Sequence, residues 1–396
     1  MNLQEMRQRL EGLVVFRGIL HDPVVERLRA LLAAAVSGGD IVPAAAEFEA
    51  ALFEYGTDWT AYLRRVVLED ANVCVRRLSA GGTDPVLEAC LDGELAFLNT
   101  LGTLTLETVR AAVPGGPGAF LPSWKTDDLD MAADYRERMR QIGRTGYGIF
   151  AKYHVFTVVN GELSPVKYPD DQALEELPGY EREREKIIAN TRALLAGEPA
   201  NNVLLYGDAG TGKSSTVKAI ANAFAADGLR LIEVKKNQLY EIPDLMDSLA
   251  QNPLKFILFI DDLSFTANDD NFAALKAILE GSVCGRAKNI AVYATSNRRH
   301  LIKETLSDRT GDDIHEADTR QELMSLSARF GLTVTFLRPE RERFAAIVME
   351  LARQYGVELP PQELLTKAEA FAIRAGGRSP RVAKQFVELC RAGVQK

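Results

Sequence analysis

NVLLYGDAGTGKSSTVKAIANAF, residues 202–224, joins a short apolar strand, a glycine-rich turn and a helix in one run. The turn reads Gly207-Asp208-Ala209-Gly210-Thr211-Gly212-Lys213-Ser214, which is the GxxxxGK[ST] phosphate loop (Walker A), and Ser215 follows it. Its glycines let backbone N–H groups curl around phosphate oxygens without Cβ clashes. The helix after the turn points its positive end at the same anion. Lys213 is placed to reach the β- and γ-phosphates, and Ser214 to ligate Mg²⁺. A chance glycine-rich turn is the plain rival, but strand, loop, Lys-Ser pair and helix all agree against it.

Downstream, FILFIDDLSF (256–265) is an apolar run that ends in two acids, Asp261 and Asp262. In the phosphate-loop architecture the acid at the strand end (Walker B) holds Mg²⁺, which assigns Asp261. Asp262 is then placed to polarise the attacking water as a general base. A helix cap or a solvated turn is the rival for such a pair taken alone. NVLLYG, LRLIEV, KFILFID, NIAVYATSN and LTVTF make five expected strands, with amphipathic helices between them. That alternation predicts an α/β fold: a P-loop NTPase with a five-stranded parallel sheet covered on both faces.

The rest of the chain divides around this core. Residues 1–112 read as short amphipathic helices, with VVERLRALLAAAV and WTAYLRRVVLEDANVCVRRL as examples, and are expected to form a helical N-terminal domain. Core packing accounts for their apolar stripes, with a partner-binding face as the alternative. Residues 113–171 are expected to be linker, helix and β-hairpin. They open within the Gly/Pro-rich AAVPGGPGAFLPSW (111–124), which reads as a loop or linker and the candidate domain boundary, and the hairpin turns at Asn160-Gly161. Residues 172–338 hold the α/β nucleotide-binding domain, and 339–396 a small helical lid.

Composition is that of a soluble globular protein, 46% hydrophobic and 26% charged over 396 residues. No apolar run approaches the roughly 18 residues of a membrane span, so no membrane partner is expected. The first twenty residues carry Arg17 inside their apolar stretch and do not read as a secretory signal. The four cysteines are scattered without metal or disulfide spacing, which fits a reducing cytoplasm. Net charge is −8, and neither part of the chain is a basic module; nucleic acid is a possible but not favoured partner. The acidic loop 306–320 matches no ligand spacing and reads as solvated.

These motifs, their spacing and the segments downstream of them resemble the AAA+ superfamily of ATPases over roughly residues 172–396. The resemblance implies ATP and Mg²⁺ as cofactors and adds roles. Asn297, ending NIAVYATSN, matches the sensor-1 residue that orients the lytic water. Arg329 in SLSARFGLTVTF matches the arginine finger that reaches a neighbouring subunit's ATP. Arg381 in GGRSPRVAKQF matches sensor 2, with Arg378 as the fallback. Gly179 and Tyr180 in LPGYEREREKI match the segment around the adenine. Each has a plain rival: a strand-end turn for Asn297, a surface cation beside Phe330 for Arg329, and flanks of a helix start for the last two arginines. Arg298, Arg299 and His300 divide between γ-phosphate or subunit contacts and ordinary loop charge. The strings PANNVLLYGDAGTGKSSTVKA, FIDDLSF and YATSNRRHL are closer still to a bacterial ATP-binding family, domain of unknown function 815, which supplies no client.

KKNQLYEIPDL lacks the aromatic-hydrophobic-Gly loop of threading unfoldases, and no DNA-reading helix-turn-helix domain is expected after the lid. The resemblance therefore implies a slow ATPase that assembles as a homo-oligomer through ATP and acts on an unknown protein client. Two alternatives stay open: an ATP-gated binding module or scaffold, and a DNA-associated loader.

Overall fold

In a computed structural model, the structure describes residues 1–394 except 80, 83, 117, 264–270, 281–286 and 298–328, and the side chains of 272, 273, 277 and 280. The chain forms two compact units, Met1–Lys152 and Tyr153–Lys396. The segment 113–171 expected between domains is shared by them.

The first unit is helical: α1 (Leu3–Glu11), α2 (Pro23–Ser37), α3 (Val42–Phe53), α4 (Trp59–Glu69), α5 (Val73–Ser79), α6 (Pro85–Gly102), α7 (Leu106–Ala111), α8 (Met131–Arg140) and the single turns α9 (Ile142–Thr145) and α10 (Ile149–Lys152). Carboxylates mark several starts. Asp22, Asp58, Asp84 and Asp130 each accept a backbone N–H in the first turn of the next helix. The centre is aromatic, with Phe48 edge-on to both Trp59 (5.3 Å) and Trp124 (4.8 Å). The indole N–H groups are satisfied, Trp59 donating to Leu101 O (2.9 Å) and Trp124 to Leu104 O (2.7 Å). The Gly/Pro-rich stretch before Trp124 therefore ends inside this core rather than at a boundary.

The second unit is built on a sheet of seven strands among the described residues: β1 (Val155–Val159), β2 (Glu162–Pro165), β3 (Val203–Gly207), β4 (Leu229–Val234), β5 (Lys255–Ile260), β6 (Ile290–Ser296) and β7 (Leu332–Phe336), in the order β2-β1-β4-β5-β6-β3-β7. The five expected strands are all present and parallel. The correction concerns strand number: β1 pairs in parallel with β4, so the hairpin extends the sheet to seven, with only β2 antiparallel. The hairpin turn itself follows its sequence, with Asn160 at φ 52 and Gly161 at φ 79. All seven residues of β6 are buried, as a central parallel strand requires.

Helices α11 (Glu181–Ala196), α12 (Lys213–Ala223), α13 (Ile242–Leu249) and α14 (Asn271–Glu280) accompany the strands. Three more close the chain without a strand: α15 (Arg341–Tyr355), α16 (Pro361–Arg374) and α17 (Pro380–Arg391). They share a core with the sheet, in which Phe344, Val348 and Phe386 join Leu205, Val334 and Phe336. The buried hydroxyl of Tyr293 on β6 meets Thr191 Oγ1 at 2.8 Å and so ties α11 to the sheet. No helix among the described residues is long and apolar enough to cross a membrane.

Register places the chemistry. β3 lies beside β6, with Tyr206 opposite Ser296, and β6 lies beside β5, with Ala294 opposite Ile260. Gly207, Asp261 and Asn297 therefore leave adjacent strands at the same, carboxyl edge, where open α/β sheets bind ligands.

Candidate functional site

The glycine-rich turn is shaped by backbone that side chains rarely adopt. Gly207, Gly210 and Gly212 have φ of 138°, 76° and 88°. Gly207 is also sterically required, because a Cβ there would lie 2.0 Å from Phe336 O on the neighbouring strand. Thr211 closes the turn by donating to Asp208 O (2.8 Å), and α12 begins at Lys213. Lys213 is buried, and its ammonium donates to Gly207 O (2.9 Å), Asp208 O (2.7 Å) and Asn297 Oδ1 (3.0 Å). Burial lowers its pKa from the usual lysine value, against the pull of Asp208, Asp262 and Asp261.

Both acids after β5 are engaged. Asp261 Oδ1 accepts from Ser214 Oγ (2.6 Å), Thr295 Oγ1 (2.5 Å) and the Asp262 N–H (3.1 Å). Asp262 Oδ1 accepts from Asn297 Nδ2 (2.7 Å). Asn297 thus links Lys213 to Asp262 through the two ends of one amide. Asp262 has φ 51, one of three described non-glycine residues in the left-handed region. Among the described residues no three His, Cys, Asp or Glu side chains gather to hold a metal. A Mg²⁺ site does not need such a cage, since this ion takes one or two protein oxygens and completes its shell with phosphate and water. The hydroxyl of Ser214 and the carboxylate of Asp261, already in contact, are a donor set of that kind.

A cavity of about 490 Å³ runs along this edge. Ala209, Gly210, Thr211, Gly212, Lys213, Ser214 and Ser215 line it, as do Asp261, Asp262 and Asn297. Its other wall is made by Tyr180, Arg184, Leu351, Arg381 and Lys384. The helices after residue 340 reach the loop directly: the Arg381 N–H donates to Gly210 O (3.1 Å), and Ser379 Oγ would be 3.2 Å from a Cβ on Gly210. Ser379 caps α17 by accepting from Val382 N (3.2 Å).

The remaining expected residues fall in different places. Tyr180 lines the cavity, but its ring is also packed: it stacks on Phe336 (5.3 Å), lies under Arg343 (5.0 Å), and its hydroxyl donates to Leu337 O. Gly179 (φ 76) faces α15, where a Cβ would lie 2.9 Å from Ile347 Cδ1. Asp208 turns its carboxylate to Arg338, accepting from its backbone N–H (2.8 Å). Of the two arginines offered for sensor 2, Arg381 lines the cavity, whereas Arg378 is held by both oxygens of Glu369 (3.0 Å each). Arg329 is half-buried just before β7 and is not among the residues lining the cavity. Arg298, Arg299, His300 and the acidic loop 306–320 lie outside the described residues.

Thr295, Arg184 and Lys384 are among the lining residues to which sequence reasoning gave no role. Thr295 stands two before Asn297 on β6, and strand periodicity puts both on one face. Arg184 and Lys384 come one helical turn after Tyr180 and Arg381, a spacing that shares a face with them. Arg184 is 8% exposed and has its guanidinium 3.5 Å from Glu181.

Among solved structures, the RuvB Holliday junction branch migration motor of Thermotoga maritima is 19% identical, with a TM-score of 0.37, over 55% of this chain and 63% of that one. A single-residue variant of the same protein gives the same figures. A second variant is 18% identical over 57% of this chain and 68% of the other, again with a TM-score of 0.37. The chain thus spans less than two thirds of the length of the first two. The model of the family described as "Protein of unknown function (DUF815)" matches residues 151–394, nearly all of the second unit. The chain belongs to that family, and its matched part is the α/β unit described above.

Proposed function

We propose that the chain binds Mg-ATP in the cavity at the sheet edge and hydrolyses it, at a site shared between copies, to remodel or regulate a protein client met through the N-terminal helices. The observation that carries this reading is the chain of contacts from Lys213 through Asn297 to Asp262, beside the Ser214–Asp261 pair. It sets a lysine ammonium, a hydroxyl–carboxylate pair suited to a metal and the Asp262 carboxylate along one wall.

In this reading Lys213 exchanges the carbonyls of Gly207 and Asp208 for the β- and γ-phosphates, and the loop N–H groups take the remaining oxygens. Ser214 and Asp261 would hold Mg²⁺, which when bound neutralises charge developing on the transferred phosphoryl group. Asp262 orients the attacking water and takes its proton, with Asn297 holding its other oxygen. Arg381 adds positive charge from the lid, and Arg329 reaches the ATP of the adjoining copy.

A finger supplied in trans makes turnover depend on neighbours and is worth on the order of 10³–10⁵ in rate. ATPase activity per chain should therefore rise with protein concentration. Arg329→Ala should abolish that rise and leave ATP affinity unchanged. Specific activity flat with concentration, together with normal activity of Arg329→Ala, would rule out the shared site.

A second reading has one observation in its favour. The closing helices bond directly to the loop through the Arg381 N–H and Gly210 O, a contact through which nucleotide occupancy would bias their position. An ATP-gated binding module would use that coupling alone, without turnover. A net charge of −8 offers a DNA-associated role no support.

A further inference from the structure

Thr295 is 2% exposed on β6, between the two acids and the amide of Asn297. A hydroxyl has one proton and two lone pairs. Here the proton goes to Asp261 Oδ1 (2.5 Å), and a lone pair takes the N–H of Asp262 (2.8 Å). The carbonyl of the same residue accepts from the Leu263 N–H (2.7 Å). Thr295 therefore grips the chain on both sides of Asp262, whose φ of 51° lies in the left-handed region that, glycine apart, mainly Asn and Asp enter. A strained backbone at a functional site persists only where its surroundings over-determine it, and these two bonds do so.

We infer that Thr295 is a positioning residue: its single hydroxyl sets the orientation of the Asp261 carboxylate toward the metal and the direction in which Asp262 leaves the strand. This rests on the proposed roles of the two acids. A hydrogen-bonded partner of a metal-holding carboxylate is worth roughly 10- to 100-fold in metal affinity or activity. The methyl of Thr295 packs but does not orient, so hydroxyl and methyl are separable by substitution.

The test uses the full-length protein with ADP and Mn²⁺ as the probe, bound metal being followed by electron paramagnetic resonance. Thr295→Val should weaken Mn²⁺ affinity in the presence of ADP about 10- to 100-fold. ADP affinity measured in EDTA should stay within about twofold, and Thr295→Ser should restore most of the lost metal affinity. Under turnover, kcat should fall with the metal affinity while KM for ATP changes little. Should Thr295→Val fail to fold, Thr295→Ala against Thr295→Ser reads the same contrast, because those two differ only in the hydroxyl. Wild-type Mn²⁺ affinity in Thr295→Val, or equal losses in the Ser and Ala variants, would overturn the inference while leaving the metal site in place. Absence of nucleotide-dependent Mn²⁺ binding in the wild type would overturn the reading of Asp261 itself.

Discussion

At Asp262 a left-handed backbone and a carboxylate held by one amide meet in a single residue. If Asn297 orients that carboxylate, Asn297→Ala should leave nucleotide affinity within a few-fold and slow hydrolysis roughly 10- to 100-fold, part of what a positioned general base supplies. Equilibrium binding of a fluorescent nucleotide alongside a phosphate-release assay checks both halves. Glu49, in the first unit, makes a different case. It is 3% exposed on α3, its Oε1 has no hydrogen-bond partner among the described residues, and burial pushes its carboxyl up to about 7. Between the usual carboxylate value of 4.5 and 7 the folded chain keeps a proton that the unfolded chain has lost. The contribution is thus fully present below 4.5 and disappears as pH rises through 7. Glu49→Gln should flatten that decline and raise stability at pH 8 by about 1–2 kcal/mol, read by denaturant melts at several pH values. Its buried acid is hidden in sequence, because α3 reads as VPAAAEFEAALF and two glutamates among alanines look like one solvated face, although only Glu49 of the two is buried.

At the scale of elements, local signals are readable and non-local pairings are not. The five strands, the Asn160-Gly161 turn and the three closing helices all carry their own periodicity or turn chemistry. The parallel pairing of β1 with β4 has no such mark, since more than 70 residues separate Phe156 from its partner Ile232. The boundary misleads for a related reason. Gly and Pro between 111 and 124 announce a loop, but only the fold reveals that Trp124 at its end completes an aromatic cluster. Phosphate-loop residues are legible because their spacing is set by the anion they wrap. The preference for Arg381 over Arg378 rests on the resemblance alone, and its physical reason, Glu369 one helix earlier holding Arg378, is non-local. Two predictions belong here. Gly207→Ala drives a Cβ into the backbone of Phe336, where no side-chain rotation offers relief, and should destabilise the second unit by about 3 kcal/mol or more. Ser379→Ala removes the cap of α17 beside Gly210 and should cost about 1 kcal/mol, with weaker nucleotide binding. Thermal melts with and without ATP measure both.

For the whole molecule, the two hydrophobic cores are separate, one drawn from residues 3–139 and the other from 155–390. A fragment ending at Lys152 should therefore fold alone. It should show helical circular dichroism and a cooperative melt that responds to Glu49→Gln, and Gly207→Ala in the full chain should leave that transition in place. The central claim concerns the second unit: that the wall holding Lys213, Asn297 and Asp262 breaks ATP rather than only holding it. Its most direct test is a single-turnover measurement, with protein in excess over radiolabelled ATP and Mg²⁺, at a concentration where copies associate. Wild-type protein is predicted to convert the bound ATP to ADP and phosphate, and Asp262→Asn to bind the same ATP and leave it intact. Bound ATP that stays whole for hours in the wild type, or is cleaved equally in both proteins, would contradict the account.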